Sequence, residues 1–496
     1  MDPVSGILTN LWNALTITNI WYALLGTGIG MLVGVLPGLG PAAAAAVLLP
    51  VTFSLDPTGG IIMLAAVYYG SMFGGTITSV LLNVPGEASS AITCIEGHPM
   101  AKSGRAGVAI TIAAVASFSG GIVSTAGLIF AAPFLSSAAL RFGPPEQFML
   151  LVFAMTMLLV LAGSSLLKAT LMGLLGLFLG TVGLDPTMGL PRFTGSVPEL
   201  FDGISFVPVV MGVFGFTSIL IACEQRVVQE RVGKVGRLLP SWAEFKRSGL
   251  AIVRGSGIGF FLGLIPGMMP SVSAFIAFSS EKTFGTDRTE FGKGAVSGVA
   301  GPEAANNGHG TAAIIPLLAL GIPTTPTVAI IMGGFLVHGI TPGPLLIRDH
   351  PDVVWGVVAS FIVGNMLLMF WSIPLISIWV SVLRVPSGLL YALVIILMMI
   401  GSYAIYSSVI GIYILIVSGV VGYFLHKNDF PIIPLILTLV IGPMMERNLI
   451  QTLEMTRGNL SEVFSRPISV TFFLMAVLVI VSWLIQYIRR IRQAET

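Results

Sequence analysis

One pattern, Gly-x3-Gly-x2-Pro-Gly-x2-Pro, occurs twice in this chain, 229 residues apart and both times in strongly apolar sequence. The first copy is Gly30, Gly34, Pro37, Gly38 and Pro41; the second is Gly259, Gly263, Pro266, Gly267 and Pro270. Proline inside a helix removes a backbone hydrogen bond and clashes with the preceding turn. Glycine admits backbone conformations that other residues resist. In lipid the freed N–H and C=O groups find no water, so such a break survives only where it is buried or lines a cavity. Two breaks half a chain apart point to a duplicated transporter with its site at broken helices. Gly30 and Gly34, at small-xxx-small spacing, are expected to serve close helix packing.

Composition leaves little room for any other class. Hydrophobic residues make up 55% of the chain and charged residues 9%, with a mean hydropathy of +0.95; a soluble domain carries about 25% charged residues. Roughly twelve to fourteen apolar segments can be read, some shorter than the ~20 residues a spanning helix needs. The net charge of +2 is scattered through loops, so nucleic acid is not an expected partner. Cys94 and Cys223 lack metal-ligand spacing. Residues 1–17 contain no Lys or Arg, so no cleavable signal peptide is expected. Phosphate-loop, zinc-protease and nucleophile-elbow patterns do not occur, which argues against an enzyme and against a resident cofactor.

The duplication extends beyond the opening motif. Val115-Ala116-Ser117-Phe118 recurs as Val358-Ala359-Ser360-Phe361, and Arg141 to Pro145 as Arg384 to Pro386. Gly163-Ser164 with Gly173 recurs as Gly401-Ser402 with Gly411. The expected fold is an all-α polytopic membrane protein: an N-terminal segment 1–17, repeat one at 18–223, a linker 224–254 and repeat two at 255–447. A loop, a last span and a basic tail fill 448–496. The linker carries Arg226, Arg231, Lys234, Arg237, Lys246, Arg247 and Arg254, and the tail Arg489, Arg490 and Arg492. Both are expected to be cytoplasmic, and the uncharged N-terminal segment periplasmic. The repeats would then run in opposite directions through the bilayer; a parallel repeat is the alternative.

The chemistry is expected at the breaks and at a second polar cluster in each half. A half-helix N-terminus suits a carboxylate, which assigns Gly38, Gly40, Gly267 and Ser271 to substrate. Repeat one then places Thr76 and Thr78 ahead of Asn83, Pro85, Gly86, Glu87, Ser89 and Ser90. Repeat two places Asn306, Asn307 and His309 ahead of Pro323, Thr324, Thr325 and Thr327. Asn83-Val84-Pro85 aligns with Gly321-Ile322-Pro323. These clusters read as tips of paired re-entrant segments whose hydroxyls and amides bind a dehydrated polyanion; the alternative is ordinary headgroup-level loops. Thr76, Thr78, Glu87, Glu303 and His309 are the candidates for coupling to a cation, against plain structural roles. Glu96-Gly97-His98-Pro99, with Lys102 and Arg105, reads as a polar loop.

These residues resemble the large membrane subunit of the tripartite tricarboxylate transporters, the TctA family. The resemblance spans nearly the whole chain and is most specific at Gly30–Pro41, Tyr68–Ser90, Glu96–Pro99, Pro302–Asn307 and Leu320–Pro323. It implies a secondary transporter of the bacterial inner membrane, importing citrate or a related di- or tricarboxylate by Na⁺ or H⁺ symport. It also implies a small four-helix membrane subunit and a periplasmic solute-binding protein as partners, with homo-oligomerisation left open. A stand-alone carrier, a channel and a membrane scaffold are the rival readings.

Overall fold

The structure, a computed structural model, describes residues 9, 11–12, 14–36, 39–139, 142–161, 165–185, 188–195, 197–224, 235–383 and 387–494. Pro37, Gly38, Arg141, Gly163, Ser164, Arg226, Arg231, Lys234, Arg384 and Pro386, named above, lie outside the described residues. Among the described residues nine helices are long and apolar enough to cross a membrane, and four shorter apolar helices accompany them. The chain is a multi-span membrane protein. One small exception to the all-α expectation is a hairpin in which Gly183–Leu184 pairs antiparallel with Pro191–Arg192.

The chain forms two compact units, and these cut across the sequence repeats. One unit comprises residues 137–209 and 424–496. In it, helix Leu166–Gly180 packs on Ile432–Met455 so closely that a Cβ on Gly176 would lie 2.1 Å from the Leu435 carbonyl oxygen. Glu146, on Pro144–Leu161, takes Arg466 at 3.2 Å.

The other unit comprises residues 1–136 and 210–423 and holds both motifs. Its first half contains α1 (Ile17–Gly34), α2 (Pro41–Leu48), α3 (Pro57–Leu82), α4 (Ala91–Lys102) and all but the last turn of α5 (Ala106–Ala139). Its second half contains α6 (Trp242–Gly263), α7 (Pro270–Phe284), α8 (Ser297–Ala312), α9 (Ile314–Leu320), α10 (Pro326–Val337) and α11 (Pro351–Ser372). Each half has one local plan: a motif helix, a break, a second helix, then a third helix running parallel to the first. The motif glycines make the parallel contact. A Cβ on Gly30 would lie 2.4 Å from Val67 O, and one on Gly34 2.2 Å from Ser71 O. In the second half Gly259 meets Ala305 O at 2.3 Å and Gly263 meets His309 O at 2.7 Å. Contact of backbone on backbone is what small residues permit where lipid offers no hydrophobic drive between helices.

A left-handed cap recurs in each half, on the third helix of the first and on α9, the helix that follows the third, in the second. Asn83 caps α3 with φ 56° and Gly321 caps α9 with φ 72°, the left-handed conformation that Asn and Gly tolerate best. Pro85 and Pro323 follow, so neither helix can resume. The polar run Asn306–Thr311 lies within α8 rather than at a loop tip.

One other expectation needs correction. Glu96–Pro99 belong to α4, not to a polar loop. A buried helix tolerates them because each polar group is partnered: His98 Nδ1 meets Val80 O at 3.1 Å, and the Glu96 carboxylate accepts the N–H groups of Gly292, Gly294 and Ala295 at 2.5, 2.9 and 2.9 Å. Glu96 thereby clasps the segment that leads into α8. Glu96→Ala strands these donors at about 1–3 kcal/mol for each buried one. A loss of ~3 kcal/mol is expected, read as a lower thermal unfolding midpoint.

Within the stretch assigned to the linker, α6 begins at Trp242. Ser241 and Glu244 form a capping box: Ser241 Oγ accepts the Glu244 N–H at 3.3 Å and the Glu244 carboxylate accepts the Ser241 N–H at 2.7 Å. Arg105 and Arg237 reach the same carboxylate at 2.9 and 2.6 Å. Burial pushes the Glu244 carboxyl up, but the Ser241 bonds and the two guanidiniums outweigh it and hold it below the ordinary carboxylate range. A depressed folded value stabilises the fold above the unfolded value, and that stabilisation is lost as pH falls through the folded one. Glu244→Gln is expected to cost about 1 kcal/mol or less at neutral pH. Melts of variant and parent should converge in acid.

Candidate functional site

Glu303, Asn306 and Asn307 stand three and four residues apart on α8 and so share one helix face. That face meets three elements of the first half. Glu303 is 1% exposed. Its Oε1 accepts Thr76 Oγ1 of α3 at 2.9 Å and Thr93 Oγ1 of α4 at 2.5 Å, and its Oε2 accepts Ser117 Oγ of α5 at 3.2 Å. Ser117 in turn accepts Asn307 Nδ2 at 2.7 Å, and the same amide nitrogen reaches Glu303 O at 3.4 Å. A buried carboxylate is thus held by hydroxyls, each with one proton to donate, and by no basic group.

Glu87 sits half-buried in the loop between α3 and α4. Its Oε1 accepts Asn306 Nδ2 at 3.2 Å and also Ser89 Oγ. Ser90 Oγ folds the loop, accepting the Glu87 N–H at 3.3 Å and donating to Glu87 O at 2.9 Å. The Glu87 carboxylate therefore bonds Asn306 directly, while that of Glu303 is linked to Asn307 through the Ser117 hydroxyl. The oxygens of those asparagines, Asn306 Oδ1 and Asn307 Oδ1, are buried and accept no hydrogen bond.

The first break lies against this loop. Gly40, the N-cap of α2, faces Glu87: a Cβ on Gly40 would lie 4.0 Å from Glu87 Cβ. Gly86 abuts Gly34 O and Gly75 Cα. In the second half Gly267 takes φ 82° and donates its N–H to Thr324 O at 3.0 Å. Ser273, in the first turns of α7, bonds His309 Nδ1 at 2.7 Å. The halves also meet where Gly310 of α8 packs on Met72 and Tyr68 of α3. The N-termini of α2, α4 and α7 have no side-chain cap, so their first-turn N–H groups are left to other partners.

Nine of the residues singled out from sequence come together around the two carboxylates, Gly40, Thr76, Gly86, Glu87, Ser89, Ser90, Glu303, Asn306 and Asn307, while Gly267 meets Thr324 and His309 meets Ser273 in the second half. Others take local roles. Thr78 Oγ1 bonds Gly75 O at 2.9 Å, and Thr325 caps α10 by accepting the Val328 N–H at 3.3 Å. Asn83 and Pro85 are exposed, Ser271 is half-buried at the start of α7, and Pro323 and Thr327 are buried. Gly38 lies outside the described residues. Thr93, Ser117 and Ser273 were not singled out as site residues. Ser117 did lie in a repeated quartet, a signal of duplication rather than of chemistry; Thr93 and Ser273 carry no motif.

The model of the family described as "Tripartite tricarboxylate transporter TctA family" matches residues 20–437. The chain belongs to that family. This TctA chain is also 41% identical over 490 residues to an Agrobacterium vitis protein named "Uncharacterized 52.8 kDa protein in TAR-I ttuC' 3'region", covering 99% of this chain and 98% of that one. A second Agrobacterium vitis protein, "Uncharacterized protein in TAR-II ttuC' 3'region", is 38% identical over 231 residues, 47% of this chain and 96% of its own length. No solved structure matches the TctA chain. Membership makes it a membrane transporter subunit of a system with further components.

Proposed function

We propose that this TctA chain is the large permease subunit of a binding-protein-dependent secondary transporter. It imports citrate or a related di- or tricarboxylate by Na⁺ or H⁺ symport with alternating access. The observation that carries this reading is that Glu87 bonds Asn306 and Glu303 shares the Ser117 hydroxyl with Asn307, beside helix N-termini that lack side-chain caps. Carboxylates can hold a cation, while hydroxyls, amides and helix N-termini can hold an anion. The repeats run in opposite directions through a bacterial inner membrane, with the N-terminus periplasmic and the linker and C-terminus cytoplasmic. A small four-helix membrane subunit and a periplasmic solute-binding protein complete the system.

The test is uptake of labelled citrate into proteoliposomes containing both membrane subunits, with an inward Na⁺ gradient and with the binding protein added or withheld. Accumulation that needs both the gradient and the binding protein is the expected result. Accumulation without the binding protein would make the chain a stand-alone carrier, and equilibration without accumulation would make it a channel.

A further inference from the structure

The side of α6 turned away from α8 is exposed. Trp242, Lys246, Gly249, Val253 and Gly257 follow one another at helical spacing and so line this one side. The opposite side, through Gly255, Gly259 and Gly263, is the one packed on α8. Below Lys246 the outer side is apolar: Leu250, Val253 and Phe261 are exposed. A Cβ on Gly249 or Gly257 would meet nothing within 4 Å. The helix therefore presents an apolar strip with two dents where its backbone is bare.

Positive charge gathers at the start of this strip. Arg254 donates to both oxygens of Glu281 on α7 at 2.7 and 2.6 Å, and Arg247 reaches Glu290 at 3.1 Å. These pairs run α7 antiparallel to α6 and bring Lys282, near the end of α7, towards the first turns of α6. Lys246 and Lys282 are exposed and hold no ion pair or hydrogen bond among the described residues. Glu281 and Glu290 are already held by arginines, so the two ammonium groups stay uncompensated. Trp242 stacks on Phe245 with ring centroids 6.0 Å apart, and Phe284 is exposed two residues beyond Lys282. A Trp at the end of an apolar helix marks the headgroup level of a bilayer, and basic side chains at that level attract anionic lipids.

We infer that this face of the α6–α7 hairpin is a binding site for an anionic phospholipid. The headgroup phosphate lies against Lys246 and Lys282 at the level of Trp242, and an acyl chain runs along α6 over Gly249 and Gly257. Charge selects this occupant. A zwitterionic lipid brings an ammonium group of its own to the two lysines. A second copy of the chain, related by a two-fold axis along the membrane normal, would set Lys246 against Lys246.

The experiment is thermal unfolding of the purified full chain, one chain per nanodisc, at fixed pH and ionic strength. It compares discs of phosphatidylcholine alone with discs of phosphatidylcholine mixed with phosphatidylglycerol. The anionic lipid is expected to raise the midpoint by roughly 1–3 °C. The double variant Lys246→Gln/Lys282→Gln should match the parent in phosphatidylcholine and lose most of that rise. Gly257→Leu fills the path of the acyl chain and leaves both charges, and should also shrink the rise. Arg447→Gln/Arg457→Gln removes two exposed charges from the other compact unit and should keep it. Soluble glycerol phosphate added to phosphatidylcholine discs should give no shift, which separates a lipid from a free phosphate; a shift of the same size would overturn the lipid assignment. Equal parent midpoints in the two lipids would overturn the inference. So would a rise that both double variants lose equally, the mark of diffuse surface charge. A rise confined to discs that hold two chains would give the face to a second copy and overturn it too.

Discussion

Glu303→Gln is expected to fold and to lose gradient-driven carboxylate uptake by about 100-fold or more. The fold should survive because the glutamine amide presents one acceptor and two donors, and the hydroxyls of Thr76, Thr93 and Ser117 can turn to accept as well as donate. Uptake should fail because the lost charge is one of the two that oppose a bound cation. Removing one partner of a buried charge interaction costs about 3–5 kcal/mol, and each 1.4 kcal/mol is tenfold in affinity. Glu303→Ala differs in kind. It leaves three hydroxyls and a cavity, and about 3 kcal/mol of stability should go with them, out of the ~5–15 kcal/mol typical of a folded domain. Parental uptake rates in a well-folded Glu303→Gln protein would end the coupling role assigned to this carboxylate.

The motif glycines supply the second large effect. Gly34→Val and Gly259→Val each force a side chain into backbone, because even a Cβ would lie 2.2 Å from Ser71 O and 2.3 Å from Ala305 O. Overpacking of side chains costs about 1–3 kcal/mol. Here the obstacle is a helix backbone, which cannot rotate away, so the cost should be larger. These variants should fail to accumulate as folded protein in membranes. Gly257 is the internal control: it lies on the same helix as Gly259, yet a Cβ there meets nothing within 4 Å. Gly257→Ala should be tolerated, and the better helix propensity of alanine can add up to about 1 kcal/mol. Normal membrane accumulation of Gly34→Val would contradict the packing described for α1 and α3.

The two breaks and the loops after them were legible because Pro and Gly act locally and mark the chain wherever the helix must stop. The match of Asn83 with Gly321 was legible for the same reason, since left-handed caps select those two residue types. The identity of α8 as a helix was not legible. Its sequence, Ser297–Ala312, holds four glycines, Pro302, Glu303, two asparagines and His309. Low propensity and high polarity read as a loop, and only burial against α3, α4, α5 and α6 makes the helix form. The Glu96 clasp was hidden for a related reason. Its partners are backbone N–H groups almost two hundred residues away, and a backbone donor leaves no trace in a side-chain pattern. The roles of Thr93 and Ser117 were hidden because a hydroxyl becomes a carboxylate ligand through the helix face it lands on. That face is set by the packing of α4 and α5 on α8.

The most direct test of the account is a cryo-EM map of the chain with saturating citrate and Na⁺. The account predicts ligand density bounded by the loop 83–90, by Asn306 and Asn307 of α8, and by the N-termini of α2 and α7. Citrate density elsewhere, with Glu87 and Glu303 still closed on their present partners, would contradict it.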